Sequence, residues 1–99
     1  MNIDLTGKRA LVCGSTQGIG LATAQNLAKL GANVVLLARN EQKLVDAHAS
    51  LDTTKGQKHY HLKGDFNFPP ELKGKVEEFI EEFGNIHILV NNTGGPAGG

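Results

Sequence analysis

Apolar positions fall in two rhythms along this chain. Arg9-Ala-Leu-Val-Cys13 and Val34-Val-Leu-Leu-Ala38 are short continuous runs bounded by glycine or polar residues, the pattern of strands buried on both faces. Around them, small and apolar residues recur at helical spacing. Gly20, Ala24, Leu27 and Ala28 predict a first helix from Gly18 to Leu30, closed by Gly31, and Leu44, His48 and Leu51 mark a second from about Glu41 to Leu51. After a polar stretch, Tyr60 and Leu62 alternate within a weaker strand candidate, His59 to Gly64. Pro69-Pro70 precedes a helix striped by Leu72, Val76, Phe79, Ile80 and Phe83 and ended by Gly84-Asn85. Ile86 to Asn91 is a fourth strand, and the glycine-rich tail from Thr93 to Gly99 reads as loop. No internal repeat is present.

Strands alternating with helices at this spacing predict an α/β fold, a doubly wound parallel sheet of the Rossmann-like kind. Two right-handed crossovers step outward on one face. A fourth strand placed beside the first puts the third helix on the opposite face, giving the order 3-2-1-4.

Composition narrows the partners. A chain of 99 residues suits one domain. Ten basic residues balance ten acidic ones, so no global field gathers nucleic acid or an anionic membrane surface. One cysteine excludes an internal disulfide framework and a cysteine-rich zinc site, and the opening Met-Asn-Ile-Asp-Leu-Thr lacks the features of a signal peptide. No apolar run approaches the roughly 20 residues a membrane span needs. A soluble, cytoplasmic protein is the expectation.

The chemistry concentrates between the first strand and first helix, at Gly14-Ser15-Thr16-Gln17-Gly18-Ile19-Gly20. Glycines there admit positive φ and let backbone amides approach an anion at a helix N-terminus, where the dipole adds partial positive charge. A pyrophosphate is the fitting ligand. A Walker loop would need Gly-Lys-Ser/Thr, which is absent, and the competing reading is a merely tight strand-to-helix turn.

The spacing Gly-x-x-x-Gly-x-Gly resembles the signature of the short-chain dehydrogenase/reductase family. So does the rest of the chain: Leu5-Thr-Gly-Lys-Arg-Ala-Leu-Val is similar to that family's opening, and Asn91-Asn92-Thr93-Gly94 to its Asn-Asn-Ala-Gly motif after the fourth strand. Cys13 stands where the family usually has threonine, and Thr93 where it has alanine; Cys13 is expected to be buried and inert. The chain looks like the N-terminal cofactor-binding portion of such a protein, similar to the 3-oxoacyl-[acyl-carrier-protein] reductases. By that resemblance Ile19 approaches the nicotinamide end, and Asn92 and Gly94 lie along the cofactor; a structural turn is the alternative for Asn91 and Asn92. Both motifs open at the gap between strands one and four, the topological switch point.

Cofactor choice rests on the end of the second strand, where an acid would bind a ribose 2′-OH and repel a 2′-phosphate. The residues are Ala38-Arg39-Asn40. This resembles the NADP(H)-preferring members, with Arg39 pairing with the phosphate and NAD(H) as the lesser alternative; a solvated surface charge is the bland reading of Arg39. Glu41 belongs to the first turn of the second helix. Asp65-Phe66 matches an acid-apolar pair that lies along the adenine in the family, against a simple capping role for Asp65.

The family's chemistry uses a serine and a Tyr-x-x-x-Lys pair beyond the fifth strand. Tyr60 has Gly64 four residues on and sits on a predicted strand, so no catalytic residue is assigned. His59 and His61 share a strand face, His48 and His87 read as isolated, and satisfied or exposed histidines are favoured over a metal site. An unpaired apolar fourth strand and a third helix without a neighbour predict an incomplete domain, inactive alone. The expected activity, in the parent protein, is NADP(H)-dependent interconversion of a small-molecule carbonyl, such as a 3-oxoacyl thioester or another ketone, with its alcohol. A homo-oligomeric parent is left open. The alternatives are a non-enzymatic NADP(H)-binding sensor or interaction module, and a receiver-like switch at Asp65, which fails for want of acids after the first strand.

Overall fold

The computed structural model describes residues 3–65 and 69–91. Its elements run β1 (Arg9–Cys13), α1 (Gly18–Lys29), β2 (Asn33–Ala38), α2 (Glu41–Ala49), β3 (Tyr60–Lys63), α3 (Pro69–Phe83) and β4 (Ile88–Asn91). All three strand pairings are parallel, in the order β3-β2-β1-β4. The doubly wound Rossmann-like arrangement expected from the sequence is the one observed.

Alternation along each strand divides the core. Val12, Val34, Leu36 and Ala38 face α1 and α2, meeting Ala24, Ala28, Leu44, Ala47 and Leu51. Leu11, Cys13, Val35 and Leu37 face α3, where Phe79 is buried among half-buried Tyr60, Leu62, Leu72 and Val76. Small residues on α1 let that helix lie close to the sheet. Full burial of Leu36, Leu37 and Leu44 stabilises by roughly 1.5 to 3 kcal/mol each. Leu89, on β4, is 66 % exposed on the α3 side, so α3 does not cover the sheet as far as that edge.

Side chains set several boundaries. The strand at β3 begins one residue later than expected because the Val34 amide donates to the His59 ring at 3.0 Å instead of to a strand partner. Likewise the Arg9 amide donates to His87 Nδ1 at 2.9 Å, and regular β4 starts after it. Gly31 ends α1 at φ 101°, and a Cβ there would sit 2.7 Å from Thr6 Oγ1, so the segment before β1 packs against the helix stop. Asn40 caps α2, accepting from the Lys43 amide at 3.0 Å, and Glu41 occupies the first turn as expected.

Candidate functional site

The C-terminal ends of the strands gather the candidate residues. Gly14 follows β1 and its amide donates to the Leu37 carbonyl at 2.9 Å; Gly64 follows β3 and donates to Ala38 at the same distance. These two bonds place the glycine loop, Arg39 and Gly64-Asp65 along one sheet edge. Cys13 is in register with Asn91, so the end of β4 adjoins the loop across the switch point. Phe66, Asn92 and Gly94 lie outside the described residues.

The loop is built by two left-handed glycines, Gly14 at φ 68° and Gly18 at φ 60°, a conformation that costs roughly 1 to 2 kcal/mol with a side chain. Gln17, the N-cap of α1, is extended and makes no side-chain cap hydrogen bond, and no acid stands in the first turn. The first amides of α1 therefore keep unsatisfied hydrogen-bonding capacity at the positive end of the helix dipole. Ser15 is wholly buried, yet its Oγ finds no hydrogen-bond partner among the described residues. A buried hydroxyl without a partner costs roughly 1 to 3 kcal/mol, which fits a loop shaped to receive an oxygen-rich anion.

The other loop residues are placed differently. Thr16 is half-buried, Gln17 exposed and Gly20 buried in the first turn of α1, while Ile19 is 77 % exposed and presents an apolar surface at the loop's outer side. Arg39 is exposed and makes no ion pair among the described residues. Asp65 is half-buried just past β3.

Sequence reasoning missed a groove of about 240 Å³ between the loop and α2, lined by Thr16, Gln17, Leu21, Lys43, Asp46, Ala47 and Ser50. Lys43 stands four residues after Arg39, in the first turn of α2, and that closeness in sequence was the available signal. It adds a second cation on the α2 side of the loop.

Other candidates resolve into structure. Cys13 is buried, as expected, and burial pushes its thiol up. Tyr60 packs its ring against Phe83 at 4.6 Å and Phe79 at 5.4 Å between centroids. The reading of His48 and His87 as isolated is corrected. His87 accepts from Arg9, and His48 Nδ1 lies 2.8 Å from His61 Nδ1, a contact set by the docking of α2 on β3. Among the described residues no three potential ligands gather around a metal position, and no helix is long and apolar enough to cross a membrane.

Comparison with known proteins agrees with this geometry. The family model described as short chain dehydrogenase matches residues 8–99. The glucose 1-dehydrogenase of Gluconobacter oxydans is 40% identical over 88 residues, covering 89% of this chain and 33% of the relative. The L-rhamnose 1-dehydrogenase (NADP(+)) of Thermoplasma acidophilum is 37% identical over 92 residues, 93% of this chain and 36% of the relative. The crystal structure of L-sorbose reductase from Gluconobacter frateurii, complexed with NADPH and L-sorbose, superposes with a TM-score of 0.84 at 39% identity, covering 96% of this chain and 36% of that one. The chain thus spans about a third of the length of these relatives. A glycine loop opening α1 beside the β1/β4 gap, on a 3-2-1-4 sheet, together with a match over nearly the whole sequence, makes this chain a member of the short-chain dehydrogenase family.

Proposed function

We propose that the chain is the dinucleotide-binding part of an NADP(H)-dependent oxidoreductase. The whole protein would interconvert a carbonyl, in a 3-oxoacyl thioester, a sugar or another ketone, with the corresponding alcohol. The observation that carries this reading is the loop itself: an uncapped helix start, two left-handed glycines and the buried Ser15 hydroxyl with no partner among the described residues. These features fit a pyrophosphate. The L-rhamnose 1-dehydrogenase (NADP(+)) and the L-sorbose reductase complexed with NADPH support the same cofactor.

Each residue then has a task. The amides at Gly18, Ile19 and Gly20 would donate to phosphate oxygens, and Ser15 and Thr16 would add hydroxyl contacts. Arg39, with no acid at the end of β2, would pair with the 2′-phosphate, and Lys43 would reinforce it from the α2 side. Gln17 would border the ribose, and Ile19 would shield the nicotinamide end from water. Asp65 and Phe66 would flank the adenine, and Asn92 and Gly94 would close the cleft from the β4 side. When bound, the nicotinamide would give hydride to the carbonyl or take it from the alcohol. The substrate site and the proton donor belong to the rest of the parent protein.

Titration calorimetry with NADP+ and NAD+ tests the reading. NADP+ should bind more tightly, and Arg39→Ala should cost roughly tenfold in NADP+ affinity, one charge-assisted contact, while leaving NAD+ nearly unchanged. Equal binding of the two in the native chain would overturn the NADP(H) preference, and binding of neither would overturn the site.

A further inference from the structure

The contact between His48 and His61 belongs to no part of that site. His48 is on α2 and His61 on β3, with Nδ1 to Nδ1 at 2.8 Å, ring centroids 5.0 Å apart and planes at 83°. Two imidazole nitrogens at this distance hold one hydrogen between them. With none, two lone pairs face each other; with two, the N–H groups collide.

The surroundings settle which groups can move a proton. His59 is fixed: its Nδ1 accepts from the Val34 amide at 3.0 Å, so its Nε2 carries the hydrogen and donates to the Asp52 carbonyl at 2.7 Å. His61 Nε2 points toward Glu41 Oε1 at 3.7 Å. One added proton is therefore accommodated on His61, with Nε2–H toward Glu41 and Nδ1–H donating to His48. A second, on His48, has no carboxylate facing it among the described residues. Among the described residues, the titratable groups in contact with the pair are Glu41 from α2 and His59 from the segment entering β3. β2 presents Val34, Leu36 and Ala38 to this face, and α1 presents Ala24 and Ala28. Burial first, and then the neighbouring His61, hold His48 below the usual histidine range.

We propose that His48 and His61 form a proton-operated latch, in which one hydrogen on the Nδ1 to Nδ1 line holds the C-terminal half of α2 against β3 and a second proton releases it. Leu44 and Ala47 anchor the same helix through its apolar face, and Leu51 holds the segment just after it, so release loosens α2 without unfolding the sheet. The helix begins two residues after Arg39 and carries Lys43. On the reading of the site given above, acid therefore weakens nucleotide binding as well.

The test is a pH titration of the full chain, from about pH 8 to about pH 5, spanning the ordinary histidine value of about 6.5. Imidazole nitrogens are followed by long-range proton–nitrogen correlation and α2 amides by hydrogen exchange. His48 should titrate below the ordinary value, its curve should move up in His61→Gln, and protection of α2 amides should fall about tenfold or more in step with it in the native chain only. A His48 curve indifferent to His61→Gln, or α2 protection constant across the range, overturns the latch. Zn2+ raising the melting temperature at neutral pH in the native chain and not in His61→Gln would put a cation where the proton was placed, and also overturns it. NADP+ affinity is measured in parallel; because the 2′-phosphate itself gains a proton here, the readout is the difference between native and His61→Gln chains. An acid loss about threefold larger in the native chain extends the latch to the site. Histidine and exchange results as stated, with no NADP+ binding at any pH, leave the latch standing and sink the site reading instead.

Discussion

The guanidinium of Arg9, at the start of β1, donates to the carbonyl of Phe83, the last residue of α3, at 2.7 Å. It also lies 5.5 Å from the centre of the Phe79 ring. A helix end leaves its last carbonyls without partners, and no basic residue in the last turn of α3 serves them, so one is served from the sheet. Arg9→Met keeps the stem and removes the donor. Its urea midpoint should fall by the equivalent of about 1 to 2 kcal/mol with an unchanged slope. An unmoved midpoint would mean that packing alone holds the end of α3.

That bond joins residues 74 positions apart, and this distance explains what could be read beforehand. β1 and β2 are buried on both faces, so their apolar runs were plain. β3 is an edge strand with half-buried Tyr60, His61 and Leu62, so its alternation was faint. The glycine loop was legible because its chemistry is local, with Gly14 and Gly18 doing in the structure what the spacing required. The groove bearing Lys43 and the pairing of His48 with His61 were not, because each depends on how α2 docks against a distant element. Nothing in the spacing of His48 and His61, 13 residues apart, specifies a contact.

Gly64 and Gly74 make a paired test of packing around α3. A Cβ on Gly64 would sit 2.5 Å from Leu72 Cδ1 and 3.3 Å from Leu37 Cδ1. Leu37 is fully buried and cannot retreat, so Gly64→Ala should destabilise by about 1 to 3 kcal/mol. A Cβ on Gly74 meets nothing within 4 Å, in the middle of a helix, so Gly74→Ala should stabilise by about 0.5 to 1 kcal/mol. Thermal unfolding of the two variants should move in opposite directions.

Cys13 gives a pH dependence on the alkaline side. Burial raises its thiol above the ordinary value of 9.0, so the folded chain resists ionisation that the unfolded chain allows. The stability it contributes is fully present below pH 9.0 and is lost as pH rises through the folded value. Urea midpoints should therefore decline in strongly alkaline buffer more steeply for the native chain than for Cys13→Ala. At pH about 8, a thiol reagent should label Cys13 slowly in buffer and rapidly in urea; equal rates would place the thiol in solvent.

Asn40 connects helix stability to the end of β2. Its side chain accepts from the Lys43 amide at 3.0 Å, and it separates Arg39 from α2. Asn40→Ala should cost about 1 kcal/mol, whereas Asn40→Asp should hold or improve the cap. The added carboxylate beside Arg39 should nevertheless lower NADP+ affinity severalfold and spare NAD+. Parallel loss for both nucleotides would show that Asn40 acts on the shape of the loop rather than on charge.

Ser15 separates the cost of a binding loop from its use. Its Oγ is buried without a hydrogen-bond partner among the described residues, and a hydroxyl in that state is a net cost to the folded chain. Ser15→Ala should leave the melting temperature of the free chain unchanged or raise it, by the equivalent of up to about 1 kcal/mol. If the hydroxyl meets a phosphate oxygen when nucleotide binds, the same variant should bind NADP+ and NAD+ three- to tenfold more weakly, both alike, because the pyrophosphate is common to them. Stability and affinity would then move in opposite senses from one atom. A variant that loses stability while binding normally would make Ser15 a packing residue and leave the backbone amides of α1 as the anion-binding groups.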